Sequence, residues 1–192
     1  MGFMFAPVFH PAMKYASAPR REIGIRTVFN IIGPLTNPAG AKAQVLGVAE
    51  GSLLEKLALV LQSLGCNHAL VVHGDDGLDE ITITGKTKVC ELKNGRIKKY
   101  SISPEDFGLS QTSLENLKGG SADENATLLR KILAGTTGPQ RDVVLINAAA
   151  VLLTGEKVRT LQEGISLAKE VIDSCHASMK LEQLIEFSQR LI

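Results

Sequence analysis

The densest chemistry in this sequence lies in His73-Gly74-Asp75-Asp76-Gly77-Leu78-Asp79-Glu80, where four carboxylates fall within six residues. Such a group repels itself unless it is solvated, ion-paired or bound to a cation, and hard oxygen donors of this kind suit Mg²⁺. The spacing is not that of an EF-hand, because the position that would hold its final glutamate is Lys86. Composition leaves a solvated turn and a metal site both open. Three further segments carry candidate groups. In Phe9-His10-Pro11 the histidine precedes a proline, which favours extended or turn backbone and can present the ring. In Pro19-Arg20-Arg21 a guanidinium beside a proline can clamp a carboxylate or phosphate through two parallel bonds. Gly33-Pro34-Leu35-Thr36-Asn37-Pro38 is a rigid turn whose backbone amides and proline face suit a flat ligand. Each has a structural alternative: a satisfied histidine, solvated surface arginines, or a loop that only ends a helix. Gly135-Thr136-Thr137-Gly138 lacks the Gly-Lys ending of a phosphate loop and reads as a connector.

The elements that must position these groups follow from composition and periodicity. A chain of 192 residues, 44% apolar and 21% charged, has room for one sizeable core and is neither disordered, collagen-like nor coiled-coil. Lys and Arg number 21 against 20 Asp and Glu, a net charge of +1, so no overall field draws in nucleic acid or an anionic membrane. Three widely spaced cysteines, Cys66, Cys90 and Cys175, form no C-x-x-C pair and indicate neither a disulfide framework nor zinc; a reducing cytoplasm fits them best. The run from Val143 to Leu153, interrupted by Asn147, is shorter than the roughly 20 residues of a membrane span. The N-terminus lacks the basic flank of a signal peptide and reads as a chain that starts inside a larger unit.

Apolar spacing from Ile23 to Ile32 predicts a helix stopped by Gly33-Pro34. Gln44 to Ala49, Leu53 to Leu64 and Ala69 to Val72 predict strand, helix and strand, a βαβ unit with parallel strands. The acidic segment then sits beyond the carboxyl end of a strand, where open α/β sheets bind ligands. Ile81 to Thr84 alternates with period two, and Asn94-Gly95 between two apolar runs predicts a hairpin. Ser103-Pro104-Glu105-Asp106 looks like a helix start, and the remainder is expected to be helical. Its signals are a capping box at Ser121 to Glu124, a stop at Gly135, and helices over Arg141 to Leu153, Leu161 to Cys175 and Leu181 to Leu191. The expected class is α/β, with a mixed, largely parallel sheet, a small antiparallel hairpin and flanking helices.

Taken together, several long motifs resemble the anthranilate phosphoribosyltransferases, the tryptophan-pathway members of a family related to the pyrimidine nucleoside phosphorylases. The match is carried by Phe5-Ala6-Pro7, His10-Pro11-Ala12-Met13-Lys14, the run from Arg21 to Asn30, Gly33-Pro34-Leu35-Thr36-Asn37-Pro38, Gly77-Leu78-Asp79-Glu80, Glu124-Asn125-Ala126 and Asn147-Ala148-Ala149-Ala150. The resemblance implies that residues 1–192 are the C-terminal α/β portion of a phosphoribosyltransferase and nucleoside phosphorylase-like catalytic domain. It implies transfer of a phosphoribosyl group from phosphoribosyl pyrophosphate (PRPP) to anthranilate, giving N-(5-phosphoribosyl)-anthranilate and diphosphate, with Mg²⁺ as cofactor. Asp79 and Glu80 match the magnesium-binding pair, Arg20 the contact to the anthranilate carboxylate, His10 the anthranilate path, and Gly33 and Pro34 the turn against the aromatic ring. No residue is assigned as acid or base, since an aryl amine is already a competent nucleophile. The family's Gly-Thr-Gly-Gly-Asp loop and Lys-His-Gly-Asn segment, which precede the matched region, do not occur in this sequence. They carry most PRPP contacts, and the family's homodimer contacts lie in its N-terminal helical domain. The chain is therefore expected to show exposed apolar surface or an open sheet edge, and to be impaired when acting alone. The alternatives are a catalytically silent fragment that binds magnesium and anthranilate, and a related pentosyltransferase with another aromatic acceptor.

Overall fold

Short apolar runs separated by one amphipathic helix set the architecture between Ala43 and Gly74. The computed structural model describes residues 4, 6–11, 15, 19, 22–24 and 32–190. It divides into two compact units, Met1–Ala41 and Lys42–Ile192. In the first, α1 (Ala6–Phe9) is a single turn, and Gly33–Thr36 forms one 3-10 turn with a proline at its start. Most of the helix expected over Ile23 to Ile32 lies outside the described residues.

In the second unit, β1 (Ala43–Gly47) leads through a 3-10 turn (Gly51–Leu53) into α2 (Leu54–Ser63) and back along β2 (His68–Gly74). β1 and β2 pair in parallel, with Ala43 opposite His68 and Gly47 opposite Val72, as the βαβ reading requires. β3 (Thr87–Lys93) and β4 (Arg96–Ile102) form the hairpin. Its two turn residues, Asn94 and Gly95, both adopt positive φ, 49° and 75°, the geometry that makes Asn-Gly the favoured hairpin turn. The sheet order is β1-β2-β3-β4. The sheet is mixed as expected, but its parallel pairing is confined to β1 and β2, while β2–β3 and β3–β4 are antiparallel. The reason is the connection: the loop of residues 75–86 contains no crossover helix, so the chain returns alongside β2 in the opposite direction.

β2 is buried on both faces, and its alternating side chains divide the core. Leu70 and Val72, with Val89 of β3, join Leu145, Ile146, Ala149, Ala150 and Leu153 of α4 (Pro139–Thr154) and Leu161, Ile165, Ala168 and Ile172 of α5 (Leu161–Asp173). Ala69 and Val71, with Cys90 and Leu92 opposite them, point to the other face, where α2 buries Leu57, Ala58 and Leu61. The layers are thus helix, sheet and helix pair. α4 and α5 cross closely: a Cβ on Gly164 would lie 2.7 Å from the Ala149 Cβ.

α3 (Ala122–Leu133) begins at the predicted capping box, where Glu124 accepts from the Ser121 amide at 2.7 Å and Ser121 accepts from the Glu124 amide. Gly135, with φ of 96°, follows its end. The Ser103 to Asp106 start is a one-turn 3-10 helix (Pro104–Phe107) rather than a long helix. α5 stops at Asp173, short of the predicted Cys175, and α6 (His176–Gln189) begins five residues before the predicted Leu181.

Ile81 to Thr84 forms no strand: Ile81 and Ile83 are buried as the alternation suggested, but Thr82 between them is buried as well. Side chains and loop backbone replace a ladder there. The Thr82 amide donates to the Thr87 hydroxyl, the Thr84 amide to the Thr82 hydroxyl, and the Ile83 carbonyl accepts from the Thr112 amide. A period of two reports the burial of alternate residues, and these two hydroxyl acceptors and one amide donor satisfy the backbone without a neighbouring strand.

Candidate functional site

The acidic segment occupies the loop after β2, and its shape is set from within. The Gly74 amide donates to the Leu78 carbonyl and the Gly77 amide to the Gly74 carbonyl, both at 2.9 Å, with Gly77 at φ of 91°. The Asp76 carboxylate accepts from the Leu78 amide at 3.0 Å and from the Thr82 and Thr84 hydroxyls. Burial works against its charge, but these three donors outweigh it and hold the Asp76 carboxyl below the usual carboxylate range. Asp76 is therefore a brace. Asp75 is neutralised at the surface by Lys88 at 3.2 Å, and His73 Nδ1 donates to the Val48 carbonyl at 2.9 Å, tying β2 to the chain leaving β1.

Asp79 and Glu80 are what the loop presents: both are exposed, and among the described residues no ion pair reaches either. Partial burial, and after it the neighbouring Asp79 and Asp76 charges, push the Glu80 carboxyl up. The backbone behind the pair is fixed on two sides. The Asp79 carbonyl lies so close to Gly47 that a Cβ there would come within 1.4 Å of its oxygen, so β1 must end in glycine. On the other side the Asn147 amide of α4 accepts from the Ile81 N–H at 3.0 Å and donates to the Ile81 carbonyl at 2.8 Å.

Two adjacent, unpaired, solvent-facing carboxylates on a braced loop fit Mg²⁺, which typically takes one or two carboxylates and completes its shell with water and substrate phosphate oxygens. No group of three or more His, Cys, Asp or Glu is placed to hold a metal among the described residues, so the pair would be the protein's share of such a shell. Beside Glu80 opens a cavity of about 280 Å³, lined by Leu78, Leu114, Leu117, Lys118 and Val143.

The remaining predicted residues belong to the Met1–Ala41 unit. His10 follows α1 and is half-buried. Gly33 and Pro34 open the 3-10 turn and are exposed, and the turn is closed locally by Thr36 Oγ1 donating to the Gly33 carbonyl at 3.0 Å. Beyond it, Asn37 accepts from the Ala39 amide at 2.9 Å. Arg20 lies outside the described residues. The structure thus brings Asp79 and Glu80 together in one unit and Gly33 and Pro34 together in the other.

Against this geometry, the family model described as glycosyl transferase family, a/b domain, matches residues 1–178. The chain belongs to this family. Among curated members of the glycosyl transferase family, an anthranilate phosphoribosyltransferase of Dehalococcoides mccartyi is 56% identical over 193 residues, covering 100% of this chain and 57% of that protein. The crystal structure of anthranilate phosphoribosyltransferase from Thermus thermophilus superposes with a TM-score of 0.90 at 46% identity, over 97% of this chain and 55% of its own. The Saccharomyces cerevisiae enzyme in complex with PRPP and Mg gives a TM-score of 0.84 at 31% identity, over 92% of this chain and 51% of its own. The chain therefore spans a little more than half the length of the relatives it matches.

Within this glycosyl transferase domain, sequence reasoning located the acidic pair but missed what holds it. Gly47, Thr82 and Thr84 carried no chemical signal of their own. Asn147 did carry one: it is the only amide in the apolar run from Val143 to Leu153, and such a residue needs a partner when a helix face is buried.

Proposed function

We propose that this chain supplies the magnesium-binding and acceptor-binding portion of an anthranilate phosphoribosyltransferase. The observation that carries the proposal is the unpaired Asp79–Glu80 pair, presented from a loop braced by Asp76 at the carboxyl end of β2. The similarity to enzymes bearing that name, one of them in complex with PRPP and Mg, supports the choice of reaction. In that reaction the bond between ribose C1 and diphosphate breaks, the anthranilate nitrogen bonds to C1, and the amine gives up a proton to solvent. Asp79 and Glu80 would hold Mg²⁺, whose contribution when bound is to neutralise negative charge on the departing diphosphate. Arg20 would pair with the anthranilate carboxylate, and His10 would line its path. Gly33 and Pro34 would offer the ring a flat, preformed surface, since the Thr36 and Asn37 bonds already fix the turn. None of these residues needs to act as acid or base, because the attacking amine is neutral and nucleophilic as bound.

The test is formation of N-(5-phosphoribosyl)-anthranilate, followed as loss of anthranilate fluorescence with PRPP and Mg²⁺. It is run on this chain alone and on this chain mixed with the N-terminal part of a relative. Turnover in the mixture and little in the chain alone is the expected result, given the share of the relatives' length that the chain spans. Silence in both, with the mixture assembled, would sink the reading. The Arg20→Ala variant separates acceptors: anthranilate binding should weaken, whereas an acceptor without a carboxylate would be indifferent.

A further inference from the structure

We infer that Asn147 is a positioning residue for the Asp79–Glu80 pair, acting through the backbone of Ile81. The claim rests on the functional reading above for what the pair binds, and on geometry alone for what holds it.

The residue after Glu80 enters the core with its side chain fully buried, yet its backbone lies in no strand. Both Ile81 backbone polar groups are instead met by one side chain. Asn147 Oδ1 accepts from the Ile81 N–H at 3.0 Å, and Asn147 Nδ2 donates to the Ile81 carbonyl at 2.8 Å. The primary amide therefore imitates one residue of a neighbouring strand and fixes two consecutive peptide units, the one that joins Glu80 to Ile81 and the one that follows. Its second Nδ2 proton goes to the Val143 carbonyl of its own helix at 2.9 Å, which locks the side-chain rotamer. Flanking Leu145, Ile146, Ala149 and Ala150 are all buried, so the helix that carries the amide is itself immobilised by the core. Across the loop, Gly47 admits the Asp79 carbonyl. The acidic pair is thus suspended between a strand end, which leaves room for it, and a helix, which bonds directly to the residue that follows it.

Two properties follow for position 147. Aspartate would keep the acceptor for the Ile81 amide but face the Ile81 and Val143 carbonyls with oxygen. Alanine would leave both Ile81 groups without their partner. In either case the Glu80 carboxylate loses its fixed origin, while the sheet and helices keep their apolar contacts.

The experiment uses the 192-residue chain and Mn²⁺ as the probe, with affinity read from electron paramagnetic resonance and amide exchange read by NMR. In the unsubstituted chain the Ile81 amide should exchange slowly although it is in no strand; fast exchange there, with slow exchange at Leu70 and Val72, would overturn the proposal without any variant. Asn147→Ala and Asn147→Asp should speed exchange at Ile81 by about tenfold or more with Leu70 and Val72 unchanged, and should weaken Mn²⁺ binding about 10- to 100-fold. The Asp79→Asn, Glu80→Gln chain tests the underlying reading separately. If it binds Mn²⁺ as tightly as the parent, the metal assignment falls, and the exchange data alone decide whether Asn147 positions the pair. Mn²⁺ affinity unchanged in Asn147→Ala, in a chain where Asp79→Asn, Glu80→Gln abolishes binding, would refute the positioning role.

Discussion

Asp76 and Glu80 sit four residues apart in one loop, and their carboxyls are displaced in opposite directions, Asp76 downward by hydrogen bonds and Glu80 upward by burial and like charge. The first is spent on structure, and the second meets no ion-pair partner among the described residues. Because the folded pKa of Asp76 is depressed, its contribution to stability is fully present above the unfolded value near 3.9 and is lost as pH falls through the folded value. Thermal melting followed from about pH 6 to about pH 2 should therefore show an acid-dependent loss that is smaller in Asp76→Asn; identical profiles would remove Asp76 from the loop's acid sensitivity. The acidic pair behaves differently. Asp79→Asn with Glu80→Gln should change stability by no more than about 0.5 kcal/mol, as exposed substitutions do, while abolishing Mg²⁺-dependent turnover of the assembled enzyme. A third residue carries structural weight unseen in the sequence. Arg141, buried at the start of α4, donates to the Gly135 carbonyl at 2.9 Å and to the Asp173 carboxylate at the end of α5. Asp173 is half-exposed and Asp142 also faces that guanidinium, so Asp173→Asn should cost about 1.5 kcal/mol in chemical denaturation, the worth of one hydrogen bond to a charged group. A loss below about 0.5 kcal/mol would show that the pair is screened into irrelevance.

At the scale of elements, what was legible in the sequence was whatever depends on near neighbours. The βαβ unit, the Asn94-Gly95 hairpin and the Ser121 to Glu124 cap each follow from a local period or a local turn requirement, and each is found. The candidate site was legible to the same depth: the acidic pair stands out by charge density, whereas its support comes from Asn147, 66 residues away from Ile81 in the chain. The alternating Ile81 to Thr84 segment misled for the same reason, because its hydrogen-bond partners are side chains and a distant loop rather than a strand. The balance of parallel and antiparallel pairing depended on what the loop of residues 75–86 did, and loop direction has no periodicity to read. The helix pair offers a test of packing. Gly164 is the point where α5 meets Ala149 of α4, so Gly164→Val should overpack the crossing and lower stability by about 3 kcal/mol. Unchanged melting would mean that the two helices can separate at no cost.

For the whole molecule, the two edges of the described sheet are unlike. β4 carries Arg96, Lys98 and Lys99, and charged residues of this kind blunt an edge against further pairing. β1, Ala43-Gln44-Val45-Leu46-Gly47, carries no charge and, among the described residues, pairs on one side alone. Leu59, Val60 and Leu64, on or just after α2, are also exposed. Among the described residues, then, β1 is an uncharged edge with exposed apolar side chains on the helix that follows it. Sedimentation velocity should show concentration-dependent association of the chain by itself, relieved when the N-terminal part of a relative is added; a single monomeric species at every concentration would contradict this. The glycine that ends β1 has a different consequence, one that concerns inheritance rather than energy. Every side chain at position 47 collides with the Asp79 backbone, so the codon is held by a residue whose own chemistry is nil. Under the proposed function, a lineage that no longer needed the reaction would be free to lose Asp79 and Glu80 at once, but position 47 would stay glycine until the loop itself was rebuilt. A saturation library selected for solubility and then for turnover would separate those two histories.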